Sequence, residues 1–325
     1  MDLINLDLKD KRILVELDMN ARMPLSIIAK KVKLSKEVVN YRLKRLEQNK
    51  IVTGYYCALD VTKLGYLYCR IFLKFSNTNP KKQEEVVEFG RTTPPISWIT
   101  LCHGKWDLVF VALCKSMKEL ESFYDRLIYK FGTYFSKRTI SIAYSIHHFK
   151  HNYLYNTEDF SQEILGGEAS PDIIDDTDKK IISYLSQNCR LPITELAKKI
   201  NLSPNAVKTR IKRLVKNKVI LAFRSKLNTN LLGFEHYKVF LQLQNISQEK
   251  MNNLISFLRY NTNVIYITKA IGLSDIEFEI ILKGENKLYE FFRYLREKFS
   301  DIIMDYDSVL YYEEPLVNYS PFGGL

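Results

Sequence analysis

The chain has 325 residues and a formal net charge of +11, and 46% of its residues are hydrophobic. This composition supports the cores of two to four ordinary domains, so a disordered chain is not expected. No uncharged apolar run approaches the length of a membrane span, and no basic segment followed by an apolar one begins the chain. We therefore expect a cytoplasmic protein without membrane partners.

An internal repeat organises the whole sequence. Residues 9–66 recur 168 positions later as residues 177–234, with 22 identities in 58 aligned positions and no gap. The same offset pairs Gly104 with Gly272 and Asp107 with Asp275, so the repeat spans almost the whole chain. Such a repeat is much longer than a solenoid period, and it predicts a covalent pseudo-dimer of two complete modules.

The first part of each module predicts three helices and a strand. Apolar residues spaced near 3.6 predict helices over Lys9–Met19 and Pro24–Val32. Ser35 is a suitable N-cap for a third helix over Lys36–Gln48, and Ser203 has the same place before Pro204–Lys216. Residues 51–60 follow as the strand of a wing. This order is typical of a winged helix-turn-helix unit.

The second part of each module has the order β-α-β-β-α-β of a ferredoxin-like domain. In the first copy the predicted strands are Tyr66–Phe75, Ile96–Cys102, Asp107–Cys114 and Thr139–His148, and the helices are Lys81–Gly90 and Lys118–Phe131. In the second copy the strands are Tyr237–Leu243, Val264–Ile271, Ile276–Leu282 and Ile303–Tyr312, and the helices are Gln248–Tyr260 and Lys287–Phe299. One face of each sheet, rich in Ile, Val, Leu and Phe, needs cover, and the two sheets can cover each other.

These patterns predict an α+β fold, a tandem duplication of a winged helix-turn-helix and a ferredoxin-like α/β-sandwich domain. We assign the helix-turn-helix units to residues 1–62 and 174–230, and the ferredoxin-like effector or dimerisation domains to residues 63–155 and 231–325. Residues 156–173 contain Gly166, Gly167 and Pro171 and no sustained period, so they are predicted to form a flexible, exposed linker.

The positive charge is concentrated in the two helix-turn-helix segments. Residues 1–66 hold 13 Lys and Arg against 8 Asp and Glu, and residues 174–234 hold 13 against 4. The other 198 residues hold 22 against 25. Charge placed in two small segments is typical of surfaces that bind phosphates.

A family resemblance follows from the order and spacing of residues 34–65. The segment Leu34-Ser35-x-x-Val38-Val39-x-x-Arg42-Leu43-x-Arg45-Leu46, followed by Ile51-Val52-x-Gly54-Tyr55, Leu59-Asp60 and Leu64-Gly65, resembles the DNA-binding half of the Lrp/AsnC family of prokaryotic transcriptional regulators. The resemblance implies a ligand-sensing ferredoxin-like domain whose sheets pair in dimers. The family normally has one module per chain, so a further homo-oligomer stays open here.

The third helices are the predicted DNA-reading elements. Their buried stripes should be Val39, Leu43 and Leu46, and Val207, Ile211 and Leu214. The residues predicted to contact double-stranded DNA are Ser35, Lys36, Glu37, Asn40, Tyr41, Lys44 and Arg45 in the first copy, and Ser203, Asn205, Lys208, Thr209, Lys212, Arg213 and Lys216 in the second. Lys and Arg suit phosphates, and Asn, Thr and Glu suit base edges. Arg42 and Arg210 flank the stripes and suit either an ion pair or a phosphate.

The loop between the middle strands resembles the family's Gly-x-x-Asp effector loop. It contains Gly104 and Asp107 in one copy and Gly272 and Asp275 in the other. The resemblance implies a small effector such as an amino acid, whereas an isolated Gly-x-x-Asp is typical of a simple hairpin turn. The loop sequences differ between the copies, so two equivalent sites are not expected.

No catalytic residue, metal ligand or cofactor is predicted. The five cysteines form no C-x-x-C pair, and no phosphate loop, dinucleotide glycines or metalloprotease motif occurs. We interpret His147, His148 and His151 as a polar strand end and not as a metal site, since adjacent strand residues point to opposite faces and one ion could not readily bind both His147 and His148. Two alternatives stay open, a siroheme decarboxylase-like tetrapyrrole enzyme and a small-molecule sensor that does not bind DNA.

Overall fold

The computed structural model describes residues 4–18, 20–155, 157, 159–166, 174–284 and 286–322. The first module contains α1 (Leu8–Leu17), α2 (Leu25–Val32), α3 (Lys36–Gln48), β1 (Val52–Leu59), β2 (Leu67–Phe75), α4 (Pro80–Thr92), β3 (Ile96–Gly104), β4 (Leu108–Cys114), α5 (Met117–Phe131) and β5 (Phe135–Phe149), and β6 (Gln162–Leu165) follows it. The second contains α6 (Asp176–Gln187), α7 (Ile193–Ile200), α8 (Pro204–Lys216), β7 (Ile220–Leu227), β8 (Glu235–Leu243), α9 (Gln248–Arg259), β9 (Val264–Ile271), β10 (Ile276–Leu282), α10 (Lys287–Phe299) and β11 (Ile303–Val317). Within these residues, no helix is both long and apolar enough to cross a membrane.

The two modules have the same elements at the predicted offset. The bounds of α2, α3, β1, β2, β4 and β5 recur 168 residues later in α7, α8, β7, β8, β10 and β11. Local sequence explains these bounds. The Ser35 hydroxyl accepts a hydrogen bond from the Val38 amide, and the Ser203 hydroxyl accepts one from the Ala206 amide, each at 3.2 Å. The predicted N-caps of both third helices are therefore confirmed.

The strand after each third helix pairs with its counterpart in the other module. β1 and β7 form a two-stranded antiparallel ribbon in which Tyr55 lies opposite Ser225 and Cys57 opposite Phe223. The sequence predicted this strand as the wing of its own unit, but its hydrogen bonds go to the other copy. The ribbon therefore joins the two helix-turn-helix units directly.

The two ferredoxin-like sheets join edge to edge. The strand order is β5-β2-β4-β3 in the first sheet and β11-β8-β10-β9 in the second. Two seams, β3 with β11 and β5 with β9, close these eight strands into a continuous ring. The sequence predicted that the sheets would cover each other but not that their edges would pair. Ring closure gives the edge strands at both seams hydrogen-bonding partners.

The helices α4, α5, α9 and α10 pack on the outside of this ring. Ile71, Phe110 and Phe123 belong to one outer core, and Val239, Phe278 and Leu295 belong to the other. The inner face differs from the expectation of Ile, Val, Leu and Phe. It buries Arg70, Lys238 and Glu277, which alternate with the apolar residues of β2, β8 and β10. A strand places successive side chains on opposite faces, so single charged residues within apolar runs point inward.

Part of the predicted linker is ordered structure. β6 pairs with the end of β5, and the Leu165 side chain is buried. The prediction of a flexible, exposed segment is wrong for these residues, because Ile164 and Leu165 extend the sheet and Leu165 packs into the core beneath the helix-turn-helix units. The rest of that prediction, residues 156, 158 and 167–173, lies outside the described residues.

Candidate nucleic-acid interface and interior cavity

The third helices bury the predicted stripes and expose the opposite faces. Val39, Leu43 and Leu46 of α3 are buried, as are Val207, Ile211 and Leu214 of α8. The exposed residues are Ser35, Lys36, Glu37, Tyr41 and Lys44 in the first unit and Ser203, Asn205, Lys208, Thr209, Lys212, Arg213 and Lys216 in the second, whereas Asn40 and Arg45 are half-buried. The predicted DNA-binding residues thus share one face of each helix, although the two serine hydroxyls are engaged as caps.

Two arginines of each third helix are held by the first helix. Arg42 binds Asp7 at 2.6 Å and Asp10 at 2.9 Å, and Arg45 binds Asp10 at 2.6 Å. The second module repeats this arrangement. Arg210 binds Asp175 at 2.7 Å and Asp178 at 2.9 Å, and Arg213 binds Asp178.

The repeated geometry of this cluster decides the role of Arg42 and Arg210. The hydrogen bond from Arg210 lowers the pKa of the Asp175 carboxyl, so the pair stays charged at neutral pH. A shared aspartate fixes the angle between the first and third helices. Arg42 and Arg210 therefore form structural ion pairs. Asp10 and Asp178 also partly neutralise the charges of Arg45 and Arg213 on the exposed faces of the third helices.

A buried ion pair fastens the first helix-turn-helix unit to the second module. Arg224 of β7 is fully buried, and it binds the Asp18 carboxylate at 2.9 Å and 3.0 Å. Arg224 also donates to the Phe149 carbonyl oxygen at 2.9 Å, and Asp18 accepts from the His151 amide at 2.6 Å. Burial opposes the charge on Asp18, but the charge of Arg224 outweighs it and lowers the pKa of the carboxyl. The contact links α1, the ribbon and the ring.

The two Gly-x-x-Asp loops have structural roles. Asp107 binds Lys74 at 2.6 Å and accepts from the Phe75 amide at 2.9 Å, and Asp275 accepts from the Leu243 amide at 2.8 Å. The glycines have positive φ and lie at the seams. A β-carbon on Gly104 would meet the Ser308 carbonyl oxygen at 2.6 Å, and one on Gly272 would meet the Ile140 carbonyl oxygen at 2.4 Å.

A cavity of about 110 Å³ lies between the ribbon and the inner face of the ring. Tyr56 and Leu59 of β1 line one side of it. The ring contributes Tyr68, Trp98, Tyr266 and Tyr311, and Tyr319 from the end of the described chain completes an aromatic wall. The cavity thus contacts both the strand that follows α3 and the ring.

The charges beside the cavity neutralise each other. Arg70 binds Glu277 at 2.8 Å, and Lys238 binds Glu277 at 3.0 Å and Glu279 at 3.2 Å. Burial raises the pKa of Glu279, but the charge of Lys238 lowers it by more, so the pKa is about 2. Two cations and two carboxylates are therefore paired with each other beside the cavity, and Arg70, Lys238 and Glu279 line it. The sequence did not reveal this cluster, although Arg70 and Lys238 occupy equivalent places in the repeat.

The histidine cluster does not form a polar strand end. His147 contacts Gln162 at 3.0 Å, His148 lines the cavity and His151 lies beside Asp18. Both ring nitrogens of His148 are buried without a partner in the part of the chain that the structure describes. Among those residues, no group of three or more His, Cys, Asp or Glu side chains could hold a metal ion.

Family models match both helix-turn-helix units. An AsnC-type helix-turn-helix domain matches residues 6–47, and a winged helix-turn-helix DNA-binding model matches residues 174–220. The chain is similar to the proline dehydrogenase transcriptional activator of Rhodobacter capsulatus, with 32% identity over 31% of this chain and 67% of that protein. It is also similar to the transcriptional regulator LrpA of Pyrococcus horikoshii, with 39% identity over 19% of this chain and 44% of that protein.

A solved structure matches nearly the full length. The siroheme decarboxylase NirDL aligns with a TM-score of 0.65 over 97% of this chain and 94% of its own, at 14% identity. At this identity the match shows a shared fold with two modules.

Proposed function

Because the chain belongs to the Lrp/AsnC family of transcriptional regulators, we propose that one chain binds double-stranded DNA with both of its third helices, α3 and α8. In this proposal the single chain acts as a family dimer does. The ribbon of β1 and β7 holds the two helix-turn-helix units of this one chain together, as two units of separate subunits are held together in a dimer. The protein is a regulator in this view and not an enzyme.

The main support for the proposal is that α3 and α8 each have an exposed face with lysines that are not in ion pairs. Lys36 and Lys44 of α3 and Lys208 and Lys212 of α8 are exposed, and they have no ion-pair partner among the described residues. Lysines of this kind neutralise phosphates and release counterions. The cluster of Asp and Arg behind each helix holds this face in place, which lowers the entropy lost on binding.

A salt titration tests the proposal. We expect the affinity for mixed genomic duplexes, followed by fluorescence anisotropy, to fall steeply with salt. In Lys208→Ala with Lys212→Ala, the logarithmic slope should drop by about 0.9 for each phosphate that the variant no longer neutralises. The matched control is Lys118→Ala with Lys137→Ala, which removes the same charge from exposed sites on the ferredoxin-like domain. A slope near zero, or equal losses of affinity in both variants, would contradict DNA binding by α8.

An amino-acid effector at the two Gly-x-x-Asp loops stays a prediction. An amino acid bound by Asp107 would have to displace Lys74, and one bound by Asp275 would have to displace the Leu243 amide. Calorimetry with leucine and other amino acids checks this prediction. A heat of amino-acid binding that is present in the wild-type chain and absent in the Asp107→Asn variant, with an unchanged unfolding transition, would support it.

Tetrapyrrole chemistry is a second candidate function. The full-length match to a siroheme decarboxylase favours it. The charges beside the cavity oppose it, because Arg70 and Lys238, which could bind the carboxylates of a tetrapyrrole, already have carboxylate partners. A visible absorbance titration with siroheme separates the two candidates, since a saturable spectral shift is expected only from the enzyme.

A further inference from the structure

We propose that the interior cavity between the β1–β7 ribbon and the ring is a binding site for a small, uncharged aromatic molecule that carries one hydrogen-bonding group. The inference deepens the proposed function, because a ligand here would regulate DNA binding. Its binding step can be measured without DNA.

The size and walls of the cavity select the ligand's shape. Its volume is about 110 Å³, which is of the same order as the apolar cavity of about 150 Å³ that is known to hold benzene. Tyr68, Trp98, Tyr266 and Tyr311 line it, together with aliphatic residues such as Val111 and Leu113. Aromatic pairs gain energy from edge-to-face and offset contacts beyond the area they bury. A single aromatic ring fits these walls.

The electrostatics select an uncharged ligand. The carboxylates of Glu277 and Glu279 are engaged by Arg70 and Lys238, so the described residues of the wall offer no unpaired charge to a cation or an anion. Moving a charged ligand out of water into this wall would weaken its binding by several orders of magnitude, because an unpaired buried ion is strongly penalised. A free amino acid, which carries two charges, is therefore a poor ligand.

The unpartnered His148 supplies the polar contact. Its ring packs edge-on against Tyr266 with a centroid distance of 4.9 Å, and both of its nitrogens lack a partner among the described residues. Burial lowers the pKa of His148 to about 3, so the ring is neutral and offers one donor and one acceptor. Buried polar groups are normally hydrogen-bonded, and a ligand hydroxyl would satisfy this one.

The location of the cavity gives such a ligand a route to the DNA-binding face. β1 follows α3 directly, and its residues Tyr56 and Leu59 line the cavity. A ligand that contacts both β1 and the ring would favour one docking angle of the ribbon. Since α3 and α8 are joined through that ribbon, the spacing of the two DNA-reading helices would change with it.

The test uses phenol as the probe, with toluene and benzoate as matched controls for the hydroxyl and for charge. In calorimetry on the full chain we expect saturable binding of phenol, at least about fivefold weaker binding of toluene, and no binding of benzoate. His148→Phe should abolish the preference for phenol over toluene. If that variant does not fold, quenching of Trp98 by phenol, measured in Trp106→Phe, still reports occupancy of the site.

The other outcomes overturn the inference. Absence of saturable phenol binding, tighter binding of benzoate or leucine, or an unchanged preference for phenol in a folded His148→Phe chain would each do so. In a final measurement we expect saturating phenol to change the affinity for DNA, and an unchanged affinity would overturn the regulatory role of the site. Phenol binding without DNA binding would overturn the proposed function but leave the site, and DNA binding without phenol binding would do the reverse.

Discussion

Each helix-turn-helix unit packs on the ring at a contact that we call its dock. The two docks use equivalent positions of the repeat, but their side chains differ. The first unit uses Asp18, which binds Arg224 and lies 3.7 Å from His151. The residues 168 positions away form the other dock. There Ser186 contacts the Cys57 thiol at 3.3 Å, and Tyr56 stacks on Tyr319 with a centroid distance of 3.7 Å.

This difference shows what a fused pair can do that a symmetric dimer cannot. In a dimer of identical subunits, both docks would contain the same residues, because one sequence provides both. Fusion allows one dock to hold an ion pair and the other a neutral contact.

The first prediction concerns the two docks themselves. Asp18→Ala leaves the fully buried Arg224 without a counterion, and we expect a loss of about 3–5 kcal/mol in the free energy of unfolding. Ser186→Ala removes a weak contact and should cost under about 1.5 kcal/mol. Urea denaturation of both variants measures the difference. Equal losses would show that the ion pair has no special weight in docking.

The second prediction concerns acid. Burial lowers the pKa of His148 to about 3 and of His151 to about 4, whereas an unfolded chain has values near 6.5. Below about pH 6.5 the unfolded chain binds protons that the folded chain does not, so stability falls as the pH decreases towards 4. Each histidine contributes a slope of about 1.4 kcal/mol per pH unit.

The second module provides the matched control for acid. Its equivalent positions hold Leu316 and Tyr319, which do not titrate in this range. His148→Leu with His151→Tyr should therefore lower the slope between pH 6 and 5, where unfolded carboxyl groups still bind few protons, by up to about 2.8 kcal/mol per pH unit, as measured by urea denaturation across that range. A wild-type stability that is flat over this interval would contradict the assignment.

The third prediction concerns a feature that the two halves share. Gly104→Ala and Gly272→Ala each place a β-carbon against a carbonyl oxygen across a seam, in a positive-φ conformation. We expect both to lower the free energy of unfolding by at least about 1–3 kcal/mol, and by similar amounts. Gly54→Ala is the control, because its β-carbon would meet nothing within 4 Å. A large difference between the two seam variants would show that the seams are not equivalent.

The sequence predicted what depends on local pattern. The third helices begin and end where the serine caps and the apolar stripes indicate, and α8, β9, β10 and α10 have the predicted bounds. These features depend on residues within a few positions of one another. Periodicity and capping therefore suffice to find them.

The sequence did not reveal features that depend on distant pairs. Arg70 and Glu277 are 207 positions apart, and nothing in either strand identifies the other as its partner. The same holds for Asp18 and Arg224, and for the closure of the ring at Gly104 and Gly272. The repeat offered one unused signal, since Arg70 and Lys238 are both basic residues within apolar strands at the same offset.

The last prediction concerns the DNA sequence that the chain selects. A symmetric dimer presents one recognition helix twice and prefers inverted repeats. Here α3 exposes Glu37 and Tyr41 where α8 exposes Asn205 and Thr209. Glutamate accepts from cytosine amino groups, asparagine pairs with adenine and threonine contacts thymine methyl groups, so the two half-sites should differ. Each contact between a side chain and a base contributes on the order of 1 kcal/mol of discrimination against the wrong base, which is the lower end of the range for well-formed contacts of this kind.

Selection from a random duplex library measures this asymmetry, and the repeat provides the variant that removes it. Replacing Glu37→Asn, Asn40→Lys and Tyr41→Thr gives α3 the residues that α8 has at these positions, and Lys44 already matches Lys212. We expect the wild-type consensus to contain two unlike half-sites and the triple variant to select an inverted repeat of the α8 half-site. A wild-type consensus that is already an inverted repeat would show that side chains other than these read the bases.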